Sequence, residues 1–304
     1  MKVLHINCNY MFTALHQTMV EHLDTLGVKN TVFAPVYSLK NAVITPRENV
    51  VACKCFHKWD RIWFYHKQKK IQKALEAQIS VGAFDLLHAY TLFTDGNSAY
   101  KLSKKYGVPY VVAVRNTDAN AFFKWMPHLR GRGVEILSNA KAVFFLSEAY
   151  KKQVFNKYIP LALQSVLEAK SYVTPNGIDD FWHENLQTKE SKTCHDPIRL
   201  IFAGRVDPNK NITTTQAAMR VLRDKGYHTH LTVVGKIADK AVYNQIVQDE
   251  HTTYIPPKDK AELIHIYREN DIFVMTSHTE TFGLVYGEAM SQGLPVIYTK
   301  GQGF

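Results

Sequence analysis

Asp271-Ile272-Phe273-Val274-Met275 opens a segment that continues through Ser277-His278-Thr279-Glu280-Thr281-Phe282-Gly283-Leu284-Val285-Tyr286-Gly287-Glu288-Ala289-Met290 and closes on Gly293-Leu294-Pro295-Val296-Ile297. The first run is an apolar strand, and the last is a second strand entered through a glycine and a proline. Between them lie a polar loop and a helix that starts near Phe282-Gly283-Leu284. Strand, loop, helix and strand in this order form the unit of an open α/β sheet, whose ligands gather beyond the carboxyl ends of the strands. Glu280 falls in that loop and Glu288 on the helix.

The helix start lies between the two acids. Its unpaired N–H groups around Phe282, Gly283 and Leu284 favour an anion such as a diphosphate, and Gly283 lets the backbone come close. Each carboxylate can accept two hydroxyls from a sugar or ribose. Two such acceptors around an anion site suit a nucleoside diphosphate sugar. His278, in the same loop, is a further candidate for touching the donor sugar, although a lone histidine is more often a structural residue.

Glu280 to Glu288, with Ala289-Met290 and the Gly293-Leu294-Pro295-Val296-Ile297 exit, resembles the signature of retaining glycosyltransferases of family four (glycosyltransferase group 1). A second motif agrees. Ile198-Arg199-Leu200-Ile201-Phe202-Ala203-Gly204-Arg205 reads as a buried strand ending in Gly-Arg, and Lys210 follows just before an amphipathic segment. An arginine fork and a lysine point charge at a strand-to-helix turn can neutralise a departing diphosphate; ordinary surface charge beside the Pro208-Asn209 turn is the plainer alternative. The resemblance implies catalytic roles for Arg205, Lys210 and Glu280, with Glu288 on the ribose. Gly204, Gly235 and the backbone at Ile255 would lie near the nucleoside.

The resemblance also implies the GT-B fold, two Rossmann-like α/β domains facing a cleft, and the spacing of apolar runs fits. Strands are expected near residues 2–7, 31–35, 49–53, 85–89, 109–115, 142–146 and 171–174, with helices at about 12–26, 59–80, 94–106 and 148–157. A second series follows, with strands near 198–203, 230–235, 252–255, 271–275 and 295–298 and helices near 211–225, 238–249, 259–268 and 284–292. The expected domains are 1–183, for the acceptor, and 184–304, for the donor, joined by a polar linker at 187–196. The turn cluster Thr174-Pro175-Asn176-Gly177-Ile178-Asp179 is similar to a segment of the same family.

The first domain departs from the family's commonest pattern. The loop after its first strand, Asn7-Cys8-Asn9-Tyr10-Met11-Phe12-Thr13, has no glycine, and Arg115 takes the place of the usual cleft histidine before Asn116-Thr117-Asp118. Arginine keeps its proton, its pKa lying above about 12, so it cannot act as a base but can hold an acidic or phosphorylated acceptor. Asn9, Tyr10, His88, Arg115, Asn116 and Asp118 are the acceptor candidates. For Arg115 and Asp118 a structural ion pair is the competing explanation.

No Asp-x-Asp or His-Glu-x-x-His occurs, and the four cysteines lack Cys-x-x-Cys spacing. The expectation is metal-independent chemistry with no cofactor, with leaving-group charge carried by Arg205, Lys210 and the helix start. The chain has 304 residues, 46% hydrophobic and 21% charged, and no apolar run approaches membrane-span length, which suggests a cytoplasmic globular protein.

A net charge of +10 calls for an anionic partner. The basic stretch at residues 57–73 mixes Trp59, Ile62, Trp63 and Phe64 with lysines, so it could lie on the inner face of a membrane and serve a lipid-linked acceptor. Alternatively its aromatics pack on the sheet with the lysines in water. No zinc finger, helix-turn-helix or RNP pattern supports nucleic acid. The expected partners are a UDP- or GDP-sugar and a sugar or lipid-linked acceptor in surface polysaccharide or glycolipid assembly. A GT-B nucleotide-sugar epimerase and a non-catalytic nucleotide-sugar-binding fragment are the alternatives. Relatives continue beyond the strand that here precedes Phe304, so the second domain is expected to be truncated.

Overall fold

Parallel strands covered on both faces are written as nearly continuous apolar runs, and those of the first half pair into one sheet. The structure, a computed structural model, describes residues 1–187 and 193–303, and for Arg61 the backbone alone. The strands are β1 (Lys2–Ile6), β2 (Lys29–Val36), β3 (Val50–Lys54), β4 (Leu86–Ala89), β5 (Tyr110–Val114), β6 (Ala142–Phe145) and β7 (Ser171–Val173). They are all parallel, in the order β3-β2-β1-β4-β5-β6-β7. The chain thus begins in the middle of the sheet, winds to one edge, and returns to build the other. The second sheet repeats this with β8 (Ile198–Ala203), β9 (Thr229–Val234), β10 (Thr252–Ile255), β11 (Ile272–Met275) and β12 (Val296–Tyr298), in the parallel order β10-β9-β8-β11-β12. The winding direction reverses between β1 and β4 and again between β8 and β11. Such reversals open a crevice at the carboxyl ends of the strands, where α/β proteins place ligands.

The α/β class with two Rossmann-type sheets is as expected. The chain divides into the units Met1–Thr174 and Pro175–Phe304, so the division falls earlier than 183/184. The reason is the short helix Asp180–Glu184, whose Trp182 is buried in the second core beside Tyr267, which in turn packs on Phe273. Residues 188–192 of the expected linker lie outside the described residues. Helices Arg130–Asn139 and Leu161–Glu168, and a π-helical turn at Asp118–Phe123, are additions to the expected elements.

The expected helix at 59–80 is in fact a 3-10 turn, Lys58–Arg61, and a helix, Phe64–Gln78. Its orientation differs from the simplest amphipathic picture. Phe64, Ile71 and Leu75 enter the core, but so do Lys67 and Gln68, while Trp59, Ile62 and Trp63 face water. Gln68 explains this: its Nε2 donates to the Thr94 carbonyl at 3.0 Å, and its Oε1 accepts from Asn97 Nδ2 and Ser98 Oγ, both at 3.0 Å. A buried amide with such partners is stable where an unpaired one is not. Among the described residues no helix is long and apolar enough to cross a membrane.

Candidate functional site

Beyond the carboxyl ends of β8 and β11, two turns lock together. After β8 the chain runs through Gly204 and Arg205 to Asp207, whose carboxylate caps the Pro208–Lys210 turn by accepting the Lys210 N–H at 3.1 Å. Asn209 then grips the loop after β11: its Nδ2 donates to the Thr279 carbonyl at 2.9 Å, its Oδ1 accepts the Thr279 N–H at 3.1 Å, and its carbonyl accepts the His278 N–H at 2.8 Å. This clamp brings Lys210 Nζ to 2.7 Å from Glu280 Oε2, with each side chain only 16% exposed. Glu280 Oε1 accepts the N–H of Thr281 at 3.0 Å, and the Glu280 N–H donates to Gln302 at 3.0 Å. The two charges are therefore held, partly desolvated, at the reversal of strand order. Arg205 lies at the same edge but is 69% exposed, with Nη2 donating to Asp207 at 2.7 Å.

The glycines keep backbone atoms close together. A Cβ on Gly235, just past β9, would lie 1.8 Å from the Gly204 carbonyl oxygen, so these loops touch main chain to main chain. Gly235 also donates its N–H to the Ile255 carbonyl at 3.1 Å, joining the ends of β9 and β10. Gly283 has φ +81° and stands over the ring of Tyr286, which any Cβ there would strike. It is the N-cap of helix Leu284–Ser291, and no side chain caps that end. Its amide dipoles thus remain available to an anion. Phe282 is buried beneath this start, and His278 is exposed. Ser277 Oγ is buried with no hydrogen-bond partner among the described residues.

Glu288 lies on this helix, half-buried. Burial pushes its carboxyl up to about 7; Lys260 nearby favours the charged form and Asp179 opposes it. Lys260 itself is paired with Asp179. The expected donor-site residues of the second unit thus gather along one edge of one sheet. Asp207, Asn209, Lys260 and Asp179 were not expected there; the Asp-Pro-Asn-Lys order, an N-cap signature, is the sequence signal for the first two.

The acceptor candidates of the first unit separate into two kinds. Asn9 and Asn116 are exposed, and Arg115 is half-buried with Nε donating to the Tyr90 carbonyl at 3.3 Å. His88, at the end of β4, stacks on Tyr90 with centroids 4.4 Å apart. Burial, together with the nearby His5, Arg115 and His16, holds it neutral by pushing its pKa well below the ordinary value. Tyr10 and Asp118 differ from expectation. Tyr10 is a core residue packed with Val20 and Val32. Asp118 is fully buried, and its oxygens accept the N–H groups of Leu92, Phe93 and Arg115 at 3.0, 3.1 and 2.8 Å. Its carboxylate ties two loops together from a buried position. His5 and His16, missed in the sequence, flank Tyr90: His5 Nδ1 lies 3.1 Å from the Tyr90 hydroxyl, and the His16 ring meets the Tyr90 ring edge-on.

Two Rossmann-type sheets carrying polar residues along their carboxyl edges define the GT-B class of fold, and known proteins agree. Residues 17–180 match the family described as Glycosyltransferase Family 4, and residues 184–304 match Glycosyl transferases group 1. The chain belongs to glycosyltransferase family 4. It is 25% identical over 242 residues to a D-inositol 3-phosphate glycosyltransferase of Mycolicibacterium gilvum, covering 73% of this chain and 52% of that protein. With the capsular polysaccharide biosynthesis glycosyltransferase CapM of Staphylococcus aureus it shares 27% identity over 170 residues, 53% of this chain and 44% of that one. The chain spans about half the length of these curated relatives. Among solved structures, sucrose-phosphate synthase from Thermosynechococcus elongatus superposes with a TM-score of 0.73 at 17% identity, over 99% of this chain and 82% of that one.

Proposed function

We propose that this protein transfers a sugar from a nucleoside diphosphate donor, a UDP- or GDP-sugar, to a hydroxyl acceptor with retention at the anomeric carbon. The Lys210–Glu280 pair, set at 2.7 Å beside an uncapped helix start, carries this reading. In the reaction Lys210 and Arg205 meet the diphosphate, with the N–H groups around Gly283 and Leu284 adding partial positive charge. Such fixed charge at a developing anion is the largest single contribution in many enzymes, and here it would serve without a metal. Once the diphosphate engages Lys210, the Glu280 carboxylate is released to accept sugar hydroxyls, and Glu288 accepts those of the ribose. Gly204, Gly235 and Ile255 leave room for the nucleoside.

In the first unit Arg115, with Asn116 and His88 near it and Asn9 exposed on the loop after β1, suits an acidic or phosphorylated acceptor. Surface polysaccharide or glycolipid assembly is the setting, the first in keeping with the name of the CapM relative. Calorimetric titration with UDP-, GDP- and ADP-sugars tests the donor site: one donor binds, and Glu288→Ala or Arg205→Ala weakens it at least about tenfold, the loss of one charge-assisted hydrogen bond. If no donor binds, the site assignment fails.

A further inference from the structure

Helix Phe64–Gln78 meets a second segment, residues 119–132, at its amino-terminal end. Phe64 packs edge-on against Phe122 with centroids 6.0 Å apart, and the Arg132 guanidinium lies 6.0 Å over Tyr65. Residues 57–65 and the turns after β5 therefore form one surface. On it Trp59 is 78% exposed, Ile62 72%, Trp63 71% and Trp125 71%. An isolated exposed tryptophan needs no explanation, but three with an isoleucine on adjoining turns do.

Their presentation is built in. The Asp60 carboxylate accepts the His57 N–H at 2.7 Å and both oxygens take Lys70 Nζ, at 2.9 and 2.8 Å, which fixes the turn between Trp59 and Ile62. Lys67 and Gln68 are drawn inward behind it. Exposed lysines lie on the same two segments. Lys58, Lys69, Lys73 and Lys124 are exposed, and Lys124 Nζ lies 4.9 Å over the Trp125 ring. Asp60, already paired, is the one acid within residues 57–73, and residues 119–132 contain none.

We propose that this face docks on an anionic lipid bilayer, with Trp59, Ile62, Trp63 and Trp125 entering the headgroup boundary and the lysines meeting lipid phosphates. Indole rings favour that boundary, and a basic rim over apolar tips is the complement of an anionic leaflet. The inference stands apart from the transfer reading, because it is tested by binding alone. If both hold, the Arg115 loop, which runs directly into the Trp125 segment, faces acceptors carried by the bilayer.

The whole chain is mixed with phosphatidylcholine vesicles brominated in their acyl chains, with and without phosphatidylglycerol. Three of the four tryptophans lie on this face and Trp182 is buried in the second unit, so quenching of tryptophan emission reads insertion here. Quenching and co-sedimentation are expected with the anionic vesicles. The combined Trp59→Ser, Trp63→Ser, Trp125→Ser variant partitions at least about tenfold more weakly. Lys58→Glu with Lys69→Glu and Lys124→Glu abolishes the preference for phosphatidylglycerol. All six positions are exposed, and an unchanged circular dichroism spectrum and Tm show the fold intact. Failure to bind either vesicle overturns the proposal, as does binding undiminished by the serines. Concentration-dependent self-association that the serines remove, without vesicle binding, assigns the face to a second copy and overturns it too.

Discussion

Glu288 is the residue whose environment makes the sharpest statement. Its carboxyl is pushed up to about 7 by burial, so near neutrality it is only partly ionised, while hydroxyl recognition needs the carboxylate. Donor affinity should therefore rise with pH through about 7, and below that fall up to about tenfold per pH unit. Glu288→Gln, which stays neutral, should bind more weakly with a flat pH profile; calorimetry from pH 6 to 8.5 checks both. Lys210 acts differently, being close to Glu280 and held against it. Lys210→Ala should lower kcat about 10²- to 10³-fold, the usual loss when one preorganised charge is removed from a developing anion, and KM should change less. Steady-state rates with the binding donor test it.

Local elements explain which parts of the chain could be read in advance. The inner strands of both sheets show as apolar runs because they are covered on both faces, whereas the edge strands β7, β10 and β12 are only partly covered and β10 reads Thr252-Thr253-Tyr254-Ile255. Helix Arg130–Asn139 does not show, because Gly131 and Gly133 weaken its helical signal. Tertiary packing demands the second glycine: a Cβ there would lie 2.7 Å from the Phe93 ring and 2.9 Å from that of Phe123. The site follows the same rule. Lys210 and Glu280 were legible because their turn and loop carry motif residues, whereas the Asp-Pro-Asn-Lys order signals the turn at Asn209 but not its contacts with the main chain of the loop after β11. Nor does local sequence reveal that Tyr10 and Asp118 are buried, since both sit in polar loops after strands. Asn209→Ala removes two hydrogen bonds and should cost about 1–3 kcal/mol, seen as a lower Tm, and weaken donor binding by loosening Glu280. Gly235→Ala cannot be absorbed by a side-chain shift, because its Cβ meets backbone. It should disrupt the second unit, with loss of soluble protein or a far lower Tm.

Across the molecule, buried ionisable groups set how stability responds to pH. Asp95 is fully buried; desolvation pushes its carboxyl up to about 7, although Thr91 and the Cys8 N–H bond to it. A raised carboxyl holds its proton more tightly when folded, so its contribution declines as pH rises from about 4 through 7 and levels off above. Burial of His5, His16 and His88 has the opposite sign, because their lowered pKa values make acidification below about 6.5 unfavourable. The two sets oppose each other, so the parent profile hides both. Asp95→Asn should reveal one: its Tm relative to the parent should climb between pH 5 and 8, and a constant difference would refute the assignment. The clamp between the turns beyond β8 and β11 bears on how such a protein changes over evolutionary time. Asn209 and Thr279 are 70 residues apart, and both side-chain contacts of Asn209 address the main chain of Thr279. Drift at position 279 is therefore tolerated while position 209 is constrained, so a search for correlated substitutions would find no trace of one of the site's principal tethers.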